Sequence, residues 1–138
     1  TVIGLDLNAP DIVDQIETGR TYIDGEAYVG AYDGVIRDRL KLARQGHCVI
    51  ALVTDEAGEL IADPEVRILG APKDDDRPLA ERVADAVDRA MEKASKKERA
   101  SDEALEQVAA RAARKVCLDR WGKKPVTTVI VMRLEDEE

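Results

Sequence analysis

The sequence is poor in aromatic residues and in the residues that most often do catalysis or bind metals. Its 138 residues include no Phe, one Trp, three Tyr, one His and two Cys. So few rings exclude a row of aromatic side chains that stacks on nucleic-acid bases. The core must therefore be built from Val, Ile, Leu and Ala. No apolar run reaches the roughly 20 residues that a membrane-spanning helix requires, and no signal peptide opens the sequence.

The charge balance is acidic, with 21 Lys and Arg against 29 Asp and Glu and a formal net charge of −8. A surface covered by nucleic acid is excluded because it needs positive potential, but a local basic patch is not.

The cysteines, Cys48 and Cys117, lie in apolar surroundings far apart in sequence. This is typical of reduced, buried thiols in a cytoplasmic protein. The lack of a membrane-spanning apolar run predicts no membrane partner. The start at Thr1 without methionine suggests a fragment of a longer protein.

Hydrophobic periodicity predicts an α+β fold. Residues 1–33 consist of short extended pieces with too few apolar residues to close a core. From residue 34 onward the pattern predicts a short helix, two strands, two long helices and a last strand. We therefore expect a small three-stranded sheet packed on one face by the two long helices. The predicted elements lie at 35–44, 47–54, 59–70, about 74–94, 101–122 and 123–134, with a charged connector, SKKERAS, between the long helices.

His47 is the first candidate for a site because it is the only histidine and stands next to Cys48. Adjacent residues of a strand point to opposite faces, so the two side chains cannot chelate one metal ion together. A structural histidine at the start of a strand is favoured. Asp74, Asp75 and Asp76 lack the alternating spacing of a calcium loop and fit the start of a helix, where carboxylates complement the helix dipole. No phosphate-binding glycine loop or nucleophile elbow is present, so no catalytic residue and no metal ligand is predicted.

Basic residues cluster toward the end of the second long helix. A solvated face that complements the helix C-terminus explains such a cluster, and contact with RNA or with an acidic partner is the alternative. The cluster comprises Arg111, Arg114, Lys115, Arg120, Lys123 and Lys124.

The two central strands are apolar on both faces, although two helices can cover only one. An exposed apolar face is unusual for a monomer, so the uncovered face is predicted to contact another protein molecule or domain. The pattern does not distinguish which set of alternating residues faces the helices. The interface candidates are Val49, Ile50, Val53, Val129, Ile130 and Val131.

Four stretches together resemble one protein family. They are GRTYIDGE at 19–26, VIRDRLKLARQGHCVIALVTDEAGEL at 35–60, DPEVRILG at 63–70 and RWGKKPVTTVIVM at 120–132. Their order is similar to that of the C-terminal region of ribonuclease J, a bacterial β-CASP metallo-β-lactamase ribonuclease. GAYDGV at 30–35 departs from the family's Gly-Asp-Val-Gly turn. The histidine and aspartate motif that binds zinc in the family's catalytic domain is absent.

The resemblance implies a division of labour within a longer enzyme. That enzyme would be a zinc-dependent 5′-3′ exoribonuclease and endoribonuclease that degrades and processes RNA, with its zinc in the catalytic domain. Residues 1–33 would form the linker and the end of that domain. Residues 34–138 would form a non-catalytic C-terminal domain, without a cofactor, that supports a dimer or tetramer and contacts RNA or a partner.

An RNA-binding KH module is the alternative, because type II KH modules have a similar order of strands and helices. A KH module clamps the nucleic-acid backbone with a Gly-x-x-Gly loop between its helices. The corresponding segment here, SKKERAS, contains no glycine.

Overall fold

Short hairpins form the beginning of the chain. The computed structural model describes residues 2–5, 10–14, 20–73 and 76–135, with side chains from residue 20 onward. Strand β1 (Val2–Leu5) pairs antiparallel with β2 (Pro10–Asp14), and β3 (Thr21–Asp24) pairs antiparallel with β4 (Ala27–Gly30). The predicted extended character of this region is thus confirmed where it is described. The chain divides into two compact units, Thr1–Leu40 and Lys41–Glu138.

The predicted short helix, α1, spans Gly34–Gln45 and contains no fully buried residue. Its last residue is followed by Gly46, which has a φ of +74°. Glycine has no Cβ, so it adopts this positive φ without a steric penalty and ends the helix.

A mixed three-stranded sheet forms the second unit. Its strands are β5 (His47–Thr54), β6 (Glu65–Leu69) and β7 (Val126–Arg133), in the spatial order β6-β5-β7. Residues 55–64, here called the β5–β6 turn, connect β5 to the antiparallel β6, whereas β7 runs parallel to β5. A parallel neighbour requires a crossover, which the helices α2 (Leu79–Glu92) and α4 (Asp102–Trp121) supply. The predicted α+β fold is confirmed.

The core lies between this sheet and the two long helices. On β5 the even-numbered residues Cys48, Ile50 and Leu52 are fully buried, whereas the odd-numbered residues are half-buried. Alternation along a strand therefore directs the even set toward the helices. The helices contribute a stripe at helical spacing. Its buried members are Leu79, Val83, Val87 and Met91 of α2 and Leu105, Ala109, Ala113 and Cys117 of α4.

Two details of the helical region differ from the sequence-based expectation. Helix α2 begins at Leu79 with Pro78 as its N-cap, rather than at the three aspartates. Asp76 precedes the helix, and Asp74 and Asp75 lie outside the described residues. The charged connector contains a helical turn, α3 (Lys96–Arg99), because Ser95 and Glu98 form a reciprocal capping box.

Arg133, at the end of β7, connects the last strand to the helical layer. Its guanidinium donates to Asp102 Oδ1 at 2.9 Å and to the carbonyl oxygens of Glu56 and Arg99 at 2.8 and 2.7 Å. These bonds hold the β5–β6 turn, α3 and the start of α4 together. None of the helices in the described part of the chain is long and apolar enough to cross a membrane.

Candidate functional site

The face of the sheet turned away from the helices, here called the outer sheet face, is apolar. Its centre consists of the half-buried Val49, Ala51 and Val53 of β5. The neighbouring residues of β7, Ile130 and Met132, are 49% and 51% exposed. Leu69 of β6, which pairs with His47 of β5, is also exposed. Contiguous exposed apolar residues of this kind mark interaction surfaces in soluble proteins.

The structure assigns the six interface candidates to opposite faces. Ile50 is fully buried against the helices, and Val129 and Val131 pack on the same core. These three side chains are therefore occupied by the fold itself. Val49, Val53 and Ile130 lie on the outer sheet face, since Ala51 pairs with Ile130 and Val53 pairs with Met132 in the β5–β7 register.

Two charged residues border the apolar centre of the outer sheet face. Glu65 and Arg67 of β6 are both exposed and pair in register with Ala51 and Val49 of β5. Their closest approach, from Arg67 Nε to Glu65 Oε1, is 3.9 Å, and their side chains are 81% and 72% exposed. An ion pair this long and this exposed contributes little to stability. Both charges therefore remain available for contact with another molecule.

His47 lies at one end of the outer sheet face and has a structural role. Its Nε2 is 2.8 Å from Thr128 Oγ1 of β7, so the ring joins the two strands by a hydrogen bond. Cys48 points to the opposite face and is fully buried. Among the described residues, no three His, Cys, Asp or Glu side chains are arranged to hold a metal ion.

The two thiols belong to the core. Burial raises the pKa of Cys48 to about 12, with the nearby Cys117 thiolate adding to the increase. Burial also raises the pKa of Cys117 to about 11. Thiolates are the reactive form of cysteine. Two thiols held protonated in this way are structural rather than nucleophilic.

The structure does not gather the predicted basic cluster into one patch. Arg111 and Arg114 are exposed on α4. Lys123 packs 5.8 Å above the Trp121 ring and donates to the Arg44 carbonyl at the end of α1, where a cation complements the helix dipole. Lys124 is exposed. Lys115 and Arg120 face α2 across a groove between the two long helices.

This groove, here called the α2–α4 groove, brings basic residues of α2 next to those of α4. Sequence inspection missed the α2 residues because acidic neighbours such as Glu81, Asp85, Asp88 and Glu92 hide them in the charge count. The spacing of these residues could have revealed them, since positions 82, 86, 89 and 93 fall on one face of a helix. The basic residues that line the groove are Arg77, Arg82, Arg89 and Lys93 of the α2 region and Lys115 and Arg120 of α4.

Two comparisons with known proteins agree on the family. A family model described as the ribonuclease J C-terminal domain matches residues 34–134. A protein named ribonuclease J from Sinorhizobium meliloti is 32% identical over 127 residues. The aligned region covers 90% of this chain but only 22% of that relative. The chain thus spans less than a quarter of the length of the curated relative that it matches.

Proposed function

The chain belongs to the family of ribonuclease J C-terminal domains, and from this we propose that it is the C-terminal part of a ribonuclease J-like enzyme that degrades and processes RNA. Its role there is non-catalytic. Zinc-dependent hydrolysis of RNA belongs to the catalytic region of the longer enzyme. The compartment we propose is the cytoplasm, where buried free thiols such as Cys48 and Cys117 stay reduced.

The contribution of this domain is assembly of the enzyme through the outer sheet face. The observation that carries this proposal is the apolar surface of Val49, Val53, Ile130 and Met132, which the fold leaves uncovered. Interfaces between identical subunits are more apolar than other protein surfaces. Burial of such residues stabilises association by roughly 25 cal/mol per Å².

A second copy of the same domain is the partner that this face fits best. In a two-fold symmetric contact, residue i meets residue j and residue j meets residue i. Glu65 and Arg67 stand two residues apart on the exposed side of β6. A symmetric partner therefore brings Glu65 of each copy toward Arg67 of the other, while the apolar centres meet. The single-sign charge clusters that would make such a contact repulsive do not occur on the described part of this face.

A pair of substitutions in β7 tests this proposal in the full-length enzyme and in the 138-residue chain. Ile130→Asp places a charge on the outer sheet face, so it should leave the circular dichroism spectrum unchanged and lower the solution mass. Val131→Asp buries an unpaired charge against the core, so it should unfold the domain. A folded Ile130→Asp variant with unchanged mass would refute the interface, as would a wild-type enzyme that is monomeric.

A KH-like RNA-binding module is not supported by the same geometry. The segment between α2 and α4 contains the α3 turn and no glycine, whereas the KH clamp uses a Gly-x-x-Gly loop there.

A further inference from the structure

The α2–α4 groove is a continuous surface depression. It consists of two adjoining cavities of about 220 and 410 Å³ that share Arg89, Val116 and Asp119. Its floor is formed by Ala86, Ala90, Ala112 and Val116. Because these side chains are short, a ligand can come close to both helix axes and lie between the longer side chains on either side.

Positive charge dominates the sides of this groove, although the whole chain is acidic. Six basic side chains line it, whereas the carboxylates that line it are Asp85 and Asp119. Arg77 is neutralised locally, since it pairs with Glu81 at 3.1 Å and with Asp85 at 2.5 Å. Lys93 and Lys115 are exposed on opposite sides, and neither makes an ion pair with another side chain that the structure describes. The groove therefore attracts anions in a protein of net charge −8.

The basic residues are distributed along a line rather than around a point. Arg82 of α2 and Lys93, the residue that follows the last residue of α2, are eleven residues apart. This separation corresponds to about 16 Å at the rise of an α-helix. A single phosphate ion spans only a small part of that distance. An extended polyanion, whose charges repeat along its length, can contact the exposed Arg89, Lys93 and Lys115 together.

We propose that the α2–α4 groove binds the sugar-phosphate backbone of single-stranded RNA, an inference that rests on the proposed membership of this domain in an RNA-degrading enzyme. Arg89 is exposed in this groove, and the planar guanidinium group of an arginine binds phosphate oxygens in pairs. The side chains that line the groove include no aromatic ring. Binding is therefore governed by backbone charge, with strong dependence on salt and little dependence on base sequence.

Two charge-matched variants of the chain test this assignment. The groove variant carries Arg89→Glu, Lys93→Glu and Lys115→Glu, all at exposed positions. The control carries Arg111→Glu, Arg114→Glu and Lys124→Glu, which are equally exposed and lie outside the groove. Both variants undergo the same change in net charge. Affinity for a fluorescent oligouridylate is measured by anisotropy between about 50 and 200 mM salt, and circular dichroism verifies folding.

We expect the groove variant to bind RNA at least tenfold more weakly, while the control loses less than threefold. Each lost phosphate contact should lower the salt slope of log K by about 0.7 for a single strand. Equal losses in the two variants, or no binding by the wild-type chain at low salt, would overturn the proposal. So would a groove variant that keeps its RNA affinity but no longer binds polyglutamate, since the groove would then serve an acidic protein. If glutamate substitution disturbs the fold, RNA affinity is measured instead with a variant that has Gln at the same three positions.

The outcome is independent of the assembly test. The groove variant should retain the solution mass of the wild-type protein because its substitutions lie on the helices and not on the sheet. Ile130→Asp should conversely retain the RNA affinity of the chain. Failure of one proposal is therefore distinguishable from failure of the other.

Discussion

Gly58 and Gly122 have the same backbone conformation in different surroundings, with φ angles of +82° and +80°. A Cβ added at Gly122 would meet no atom within 4 Å, whereas one added at Gly58 would lie 2.8 Å from Arg99 Cβ and overlap the Arg99 carbonyl oxygen. Gly122→Ala should therefore lower the free energy of unfolding by about 1 kcal/mol, the cost of left-handed backbone. Gly58→Ala should lower it by about 3 kcal/mol, because overpacking adds to that cost.

Urea unfolding of the two glycine variants measures this difference directly. Equal losses of stability would show that the β5–β6 turn does not depend on its close approach to α3.

The buried thiols predict a loss of stability in alkaline solution. An unfolded cysteine ionises near a pKa of about 8.5, whereas burial holds the pKa of Cys48 at about 12 and that of Cys117 at about 11. Above pH 9 the unfolded chain loses protons that the folded chain retains, so the free energy of unfolding falls as pH rises. Each thiol contributes about 1.4 kcal/mol per pH unit until its folded pKa is reached.

The double variant Cys48→Ala, Cys117→Ala isolates this effect from the titration of other groups. Its stability at neutral pH should be lower because of the lost volume, but its decline between about pH 9 and pH 11 should be shallower than that of the wild-type chain. An identical decline in both proteins, measured by urea unfolding at several pH values, would contradict a role for the thiols.

Single residues also show where sequence reasoning reaches its limit. β5 is apolar at every position from Cys48 to Val53, so its own sequence contains no signal for the side that faces the helices. Only the packing of α2 and α4 distinguishes the buried Ile50 from the outward Val49. The basic cluster was found by its density along the chain, and this criterion missed Arg89 and Lys93, which become neighbours of Lys115 only through helix packing.

At the scale of elements, the order of helices and strands from residue 34 onward follows from the hydrophobic period and the length of each apolar segment. The ends of the elements are fixed by local chemistry instead. Ser101 caps α4, since its Oγ accepts a hydrogen bond from the Ala104 amide at 3.3 Å. The aspartates before α2 were a weaker indicator than Pro78, whose fixed φ precedes the first helical residue. The α3 turn was missed because four residues are too few to show a hydrophobic period.

At the scale of the whole molecule, the main cluster of buried hydrophobic residues lies in the second unit, whereas Val29 is buried in the first. Every residue of that core cluster falls between Cys48 and Cys117, and Val129 and Val131 of β7 pack against it. The side chains that are described before residue 34, those of residues 20–33, do not belong to this cluster. Residues 34–138, which retain the whole of α1, therefore contain the interactions that stabilise the α+β fold.

Removal of residues 1–33 should consequently leave the α+β fold of the second unit intact, with a cooperative unfolding transition close to that of the full chain, because the main core cluster is retained. Truncation after Pro125 should instead abolish folding, because it removes β7, exposes one edge of β5 and uncovers the core beside Ile50 and Leu52. Both truncations are compared with the 138-residue chain by urea unfolding followed by circular dichroism. Unfolding of the 34–138 chain would show that the first unit is part of the cooperative fold, and the assembly and RNA measurements would then require the complete chain.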